Sequence, residues 1–175
     1  VRIGCCGFPV ARAKYFKSFS VVEVNQTFYK YPRPQLMEKW RALSPEGFEY
    51  TVKANKEITH IHAMKPGREV GEALSKMSDI CLRLSAKILL LQTPASFKPT
   101  ATSLKNLGRT LSRVRQLGLQ PVYEPRGPAW EEQEARRGLN ALLEEAETPH
   151  VVDPLKSEPV QDRLLQAPRA WEEAV

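Results

Sequence analysis

The ionisable and amide side chains of this 175-residue sequence fall in short groups, each at the end of a β-type run. Glu23, Asn25, Thr27 and Tyr29 alternate along VVEVNQTFY, Lys53 and Asn55 close FEYTVKAN, and Gln92 closes ILLLQ. Glu124 and Arg126 end VYEPR, and Asp153 ends VVD. Carboxylates that meet in a partly closed cavity have their pKa values pushed apart, which suits Glu23, Glu124 and Asp153 to general acid–base work or to holding a divalent metal. A neutralising arrangement competes with that reading, in which Glu23 and Glu124 pair with Lys53 and Arg126. Lys53 among apolar neighbours is either a Schiff-base nucleophile or the cation that receives a carboxylate or phosphate. Arg126 offers an anion its bidentate fork, or offers Glu124 a structural salt bridge.

His60 and His62 stand two apart on a segment expected to be extended, an H-x-H spacing that turns both rings one way and suits Mg, Mn or Zn, while His62 also fits a plain surface position. Cys5 and Cys6 are either a nucleophile or ligand pair at the end of the first run, or small core residues. Phe28, Tyr29, Tyr31 and Trp130 form an aromatic group that stacks on a base or sugar, or simply packs.

These residues need elements to carry them to one place. Six β-type runs recur, at Arg2–Cys6, Val21–Phe28, Phe48–Ala54, Lys87–Thr93, Pro121–Arg126 and His150–Asp153. Helical patterns lie between them, at Arg12–Phe19, Gln35–Leu43, Arg68–Leu84, Thr102–Leu117 and Trp130–Glu147. In the fourth, Leu104, Leu107, Leu111, Val114 and Leu117 repeat at three- and four-residue intervals, the stripe a helix lays against a sheet, and Thr102 and Ser103 are its candidate caps. Alternating strands and helices of this length imply right-handed βαβ units and a parallel sheet. A doubly wound open sheet and a TIM-type β/α barrel both qualify. The barrel is favoured, because Val22 and Val24 share one face of their run while Glu23 and Asn25 share the other, and a sheet covered on both sides would read uniformly apolar. The fold class is therefore α/β, an incomplete barrel with six of seven or eight strands in one domain over residues 1–175, since a full barrel takes about 250 residues. Its active rim is the carboxyl ends of the strands, where the polar residues above collect. Six strands leave edges that further C-terminal strands or a second subunit are expected to cover.

Charge is unevenly placed. Residues 1–68 carry 12 Lys and Arg against 5 Asp and Glu, and residues 69–175 carry 14 against 15. The basic half either attracts an anionic small molecule or nucleic acid, or is a solvated lysine-rich surface; no helix-turn-helix or zinc-finger signature is present. There is no run of about 18 apolar residues. Three cysteines without paired spacing fit a reducing compartment, so a cytoplasmic protein with no membrane partner is expected, and a homo-oligomer is compatible.

The string GCCGFP, then VVEVNQTFYKYP, EKWRALSPEGFEYTVKANKEITH, LLLQTPASFKP, VYEPR followed by W, and VVDP, resembles the domain of unknown function 72 (YecE-like) family over about residues 2–159. The resemblance implies a β/α barrel and no established activity. It points to Glu23, Asn25, Thr27, Phe28 and Tyr29, to Lys53 and His60, to Gln92 and Pro94, to Glu124 and Arg126, and to Asp153. The family continues with a strand bearing an arginine and a His-Gly pair, for which QDRLLQAPRAWEEAV offers no counterpart.

Two functions compete. One is a metal-dependent hydrolase of phosphodiesters or a sugar-phosphate isomerase, with His60, Glu124 and Asp153 around a divalent ion, Glu23 beside them, and Asn25, Thr27, Tyr29, Lys53, Gln92 and Arg126 on the substrate. The other is a non-catalytic binding protein or scaffold for an anionic metabolite or nucleic acid.

Overall fold

Tyr15 ties the first two strands together. In the computed structural model, which describes residues 2–152, its buried hydroxyl accepts from the Cys5 N–H at 2.8 Å and donates to the Val21 carbonyl at 2.9 Å. The strands so joined are β1 (Gly4–Cys6) and β2 (Val21–Val24), with the short α1 (Arg12–Tyr15) between them. There follow α2 (Pro34–Leu43), β3 (Glu49–Lys53), α3 (Arg68–Leu84), β4 (Ile88–Gln92), α4 (Ala101–Gln116), β5 (Gln120–Glu124) and α5 (Gln133–Glu145). The five strands lie in one sheet, in the order β1-β2-β3-β4-β5, and every neighbour is parallel.

Residue alternation gives the sheet two different faces. Val22, Val24, Tyr50, Val52, Leu89, Leu91 and Tyr123 point to the helices, where they meet Met37 and Trp40 of α2, Leu74 and Met77 of α3, Leu107 and Leu111 of α4, and Leu139 and Leu143 of α5. Burying each such side chain stabilises the fold by about 1.5–3 kcal/mol. On the opposite face the register sets Cys6 beside Glu23, Glu23 beside Thr51, Lys53 beside Leu90, and Gln92 beside Glu124. Gly4 and Cys6 at one edge, and Val122 and Val151 at the other, border the same cavity of about 240 Å³, so the sheet is curled with this second face inside. The result is an arc of a β/α barrel with its helices outside. Gly4 is obligatory there, because a Cβ would stand 2.3 Å from the Val21 carbonyl oxygen.

Several expectations are corrected by local chemistry. The second strand stops at Val24, not Phe28, because Thr27 Oγ1 lies 2.6 Å from both the Val24 and Lys53 carbonyl oxygens and folds Asn25–Phe28 into a 3-10 turn. The segment carrying His60 is not extended: Glu57–Ile61 is a single π-helical turn, started by Asn55, whose Oδ1 accepts the Glu57 N–H at 3.0 Å. α4 begins one residue earlier than expected and is capped by Thr100, whose Oγ1 accepts the Ser103 N–H at 3.1 Å, not by Thr102 or Ser103. The sixth run enters the sheet as one parallel bridge between Tyr123 and His150, with Val151 N–H donating to the Tyr123 carbonyl at 2.8 Å; Asp153 lies outside the described residues. No described helix is long and apolar enough to cross a membrane.

Candidate functional site

The inner face brings Glu23, Lys53, Gln92 and Glu124 to the carboxyl ends of four adjacent strands. Each sits there because it shares parity with inner residues of its strand: Lys53 follows Thr51 by two, Gln92 follows Leu90, and Glu124 follows Val122. Cys6 joins them from β1. It is exposed, whereas Cys5, pointing the other way, packs on the core. The core reading of the pair therefore holds for Cys5 and fails for Cys6.

Glu124 is the most enclosed of these groups and is fully engaged. Gln92 Nε2 donates to its Oε2 at 2.6 Å, and Arg126 Nη2 lies 2.5 Å from its Oε1. Half of the anticipated neutralising set is thus present. The other half is not: no carboxylate among the described residues lies within 4 Å of the Lys53 ammonium, which instead stands 4.8 Å from the centre of the Phe28 ring. Phe28 also meets His60 edge-on, with ring centres 4.8 Å apart, so one aromatic ring touches both the lysine and the imidazole. Burial, and next the Lys53 charge, hold His60 below its ordinary pKa, while its Nδ1 lies 2.8 Å from Thr59 Oγ1.

Glu23 lies against the Cys6 thiol. Burial raises the Glu23 carboxyl above its usual range and nearby Glu124 adds to this, while Cys6 and Lys53 work the other way. The Cys6 thiol is pushed up to about 11, first by burial and then by the Glu23 carboxylate. The two side chains border the inner cavity together.

Other anticipated residues have structural work or point elsewhere. Thr27 is buried and holds the 3-10 turn. Asn25 begins that turn and so does not continue the inner face of β2 as its alternation with Glu23 implied; its buried Oδ1 has no partner among the described residues. Tyr29 is exposed. His60 lies on the π-helical turn and His62 caps its end, so the two are not on an extended segment that would turn both rings one way. Among the described residues no three His, Cys, Asp or Glu side chains gather to hold a metal ion, and the third member of the anticipated set, Asp153, lies outside them. Trp130 is core: its Nε1 donates to the Phe97 carbonyl at 2.8 Å. Cys6, Thr51 and Phe28 are the site residues that the sequence reading underweighted; parity with Lys53 on the same strand was the signal for Thr51.

Comparison with known proteins fits this geometry. A family model described as "Protein of unknown function DUF72" matches residues 11–170. The UPF0759 protein YecE of Escherichia coli K12 is 28% identical over 172 residues, covering 93% of this chain and 61% of that protein, and its counterpart in Escherichia coli O157:H7 matches equally. The chain thus spans 61% of the length of these curated relatives. Among solved structures, a DUF72 family protein from Enterococcus faecalis V583 superposes with a TM-score of 0.71 at 19% identity, covering 91% of this chain and 67% of that one. Another from Thermotoga maritima MSB8 gives 0.65 at 21% identity, covering 86% and 64%. Likeness at such identities is a likeness of fold.

Proposed function

This chain belongs to the DUF72 family, whose fold it shares and whose name assigns no activity, and from that premise we propose that its inner rim binds an anionic small molecule, with Lys53 as the receiving cation. The observation that carries the reading is the condition of Lys53: half-buried on the inner wall, seated on Phe28, and without a carboxylate within ion-pair distance among the described residues. A half-buried cation attracts an anion more strongly than one in open water. A phosphate-bearing substrate suits it. Arg126 acts differently, since Glu124 already occupies its guanidinium; its part is to orient Glu124, which in turn orients Gln92 as a neutral hydrogen-bonding group. Glu23, with its pKa raised by burial and its contact to Cys6, is the group that can exchange a proton with a bound substrate.

Calorimetric titration with small phosphate esters at low salt tests this. The wild type is expected to bind, and Lys53→Ala to lose at least about tenfold in affinity with its thermal midpoint little changed. Arg126→Ala is expected to lose less. Equal affinity in wild type and Lys53→Ala would remove the assignment. Turnover that disappears in Glu23→Gln while binding persists would make the site catalytic, and binding without turnover in the wild type would make it a receptor for the same anion.

A further inference from the structure

Beside the rim lies a second cleft, of about 200 Å³, which His60 borders on the side of Phe28 and Lys53 and which shares no lining residue with the inner cavity. We infer that this cleft, at the amino end of α4, is a separate site for the terminal phosphate of a small phosphate ester. The inference goes beyond the inner-rim proposal and does not need it.

α4 is 16 residues long, and its first turn faces the cleft with Thr102 and Ser103. Helix amino ends gather the partial positive charge of unsatisfied N–H groups and favour anions. Here Thr100 occupies the Ser103 N–H, which leaves the Ala101 and Thr102 amides without an acceptor among the described residues.

Asn106 is the independent observation. It lies on the second turn of α4, is only 9% exposed, lines the cleft, and its amide makes no hydrogen bond with any described residue. Helical side chains tilt toward the amino end, so its amide is aimed at the first turn. The residue is nine-tenths buried but its amide opens onto the cleft, whereas an apolar residue would serve packing alone. The amide is placed to donate when an acceptor enters.

The remaining lining agrees. No Asp or Glu borders the cleft, the exposed Lys65 supplies a cation, and Ser96 adds a hydroxyl. The wall is pre-set, because Trp130 Nε1 holds the Phe97 carbonyl next to Ser96 and Gly127 leaves room for Ala95 where a Cβ would stand 2.7 Å away. Amide, hydroxyl and ammonium donors around one small space match the three free oxygens of a terminal phosphate better than the two of a diester.

The test is an amide-resolved NMR titration of the whole chain with inorganic phosphate. Saturable shifts are expected at the Ala101 and Thr102 amides and at the Asn106 side chain. Affinity should fall at least about tenfold in Asn106→Leu and about threefold or more in Lys65→Ala, an exposed position whose loss does not threaten folding. The shifts should persist in Lys53→Ala, so that failure at the inner rim leaves this site standing. The inference is overturned if phosphate moves none of these signals, if both variants bind as the wild type does, or if the shifts vanish in Lys53→Ala. Dimethyl phosphate binding as tightly as inorganic phosphate would overturn the assignment to a terminal phosphate.

Discussion

Cys6 combines the exposure of a reactive thiol with the protonation state of an inert one. Thiolate is the nucleophile, so a thiol held near 11 by burial and by Glu23 is almost wholly protonated at pH 8. Alkylation of Cys6 by iodoacetamide at that pH, followed by mass spectrometry, is expected to run at least about tenfold slower than that of a free cysteine. Glu23→Gln removes the neighbouring negative charge and should speed it. A Cys6 that alkylates as fast as free cysteine would break the Glu23–Cys6 unit. Lys53 and Glu124 were visible from residue type and run ending alone. Cys6 was not, because a three-residue strand shows too little alternation to reveal which of two adjacent cysteines faces inward.

The helices were read well where a stripe and a stop coincide. α3 begins at Arg68 and ends at Leu84 as expected, because Val70, Leu74, Met77, Cys81 and Leu84 form one buried stripe and Ser85 closes it in the left-handed conformation. Turns formed by long-range bonds were not legible. Thr27 is a good strand former by propensity, and its contacts with the Val24 carbonyl and with the Lys53 carbonyl, 26 residues away, turn the chain at that point. α4 has two jobs, and they separate by mutation. Leu111→Ala empties a fully buried position and should cost about 2–5 kcal/mol in chemical denaturation. Thr100→Ala removes the cap and should cost about 0.5–2 kcal/mol. A Leu111→Ala variant as stable as the wild type would mean that α4 does not seal the sheet.

For the molecule as a whole, the alternation in each run carried the barrel reading, and the polar rim followed from it. The course of the chain after the single bridge at His150 was not legible in the same way, because the Pro-interrupted residues that follow have no repeating pattern. His150 itself is a stability sensor. It is buried beside Tyr123, and burial, with Arg136 second, lowers its pKa from 6.5 to about 4. Protonation therefore favours the unfolded chain: the stability that neutral His150 contributes is complete above about pH 6.5 and is lost as pH falls toward 4. Urea midpoints measured across that window should fall in the wild type and fall less in His150→Gln; parallel curves would remove His150 as the cause. The central claim is that one inward face collects the rim and that Lys53 meets the anion there. Reductive methylation with 13C labels each lysine, and the Lys53 signal, assigned by its loss in Lys53→Arg, can be followed while glycerol phosphate is added. A saturable shift of the Lys53 signal, with signals of lysines away from both clefts unmoved, is the predicted result. A Lys53 signal that stays in place while the protein binds the ester would contradict the account.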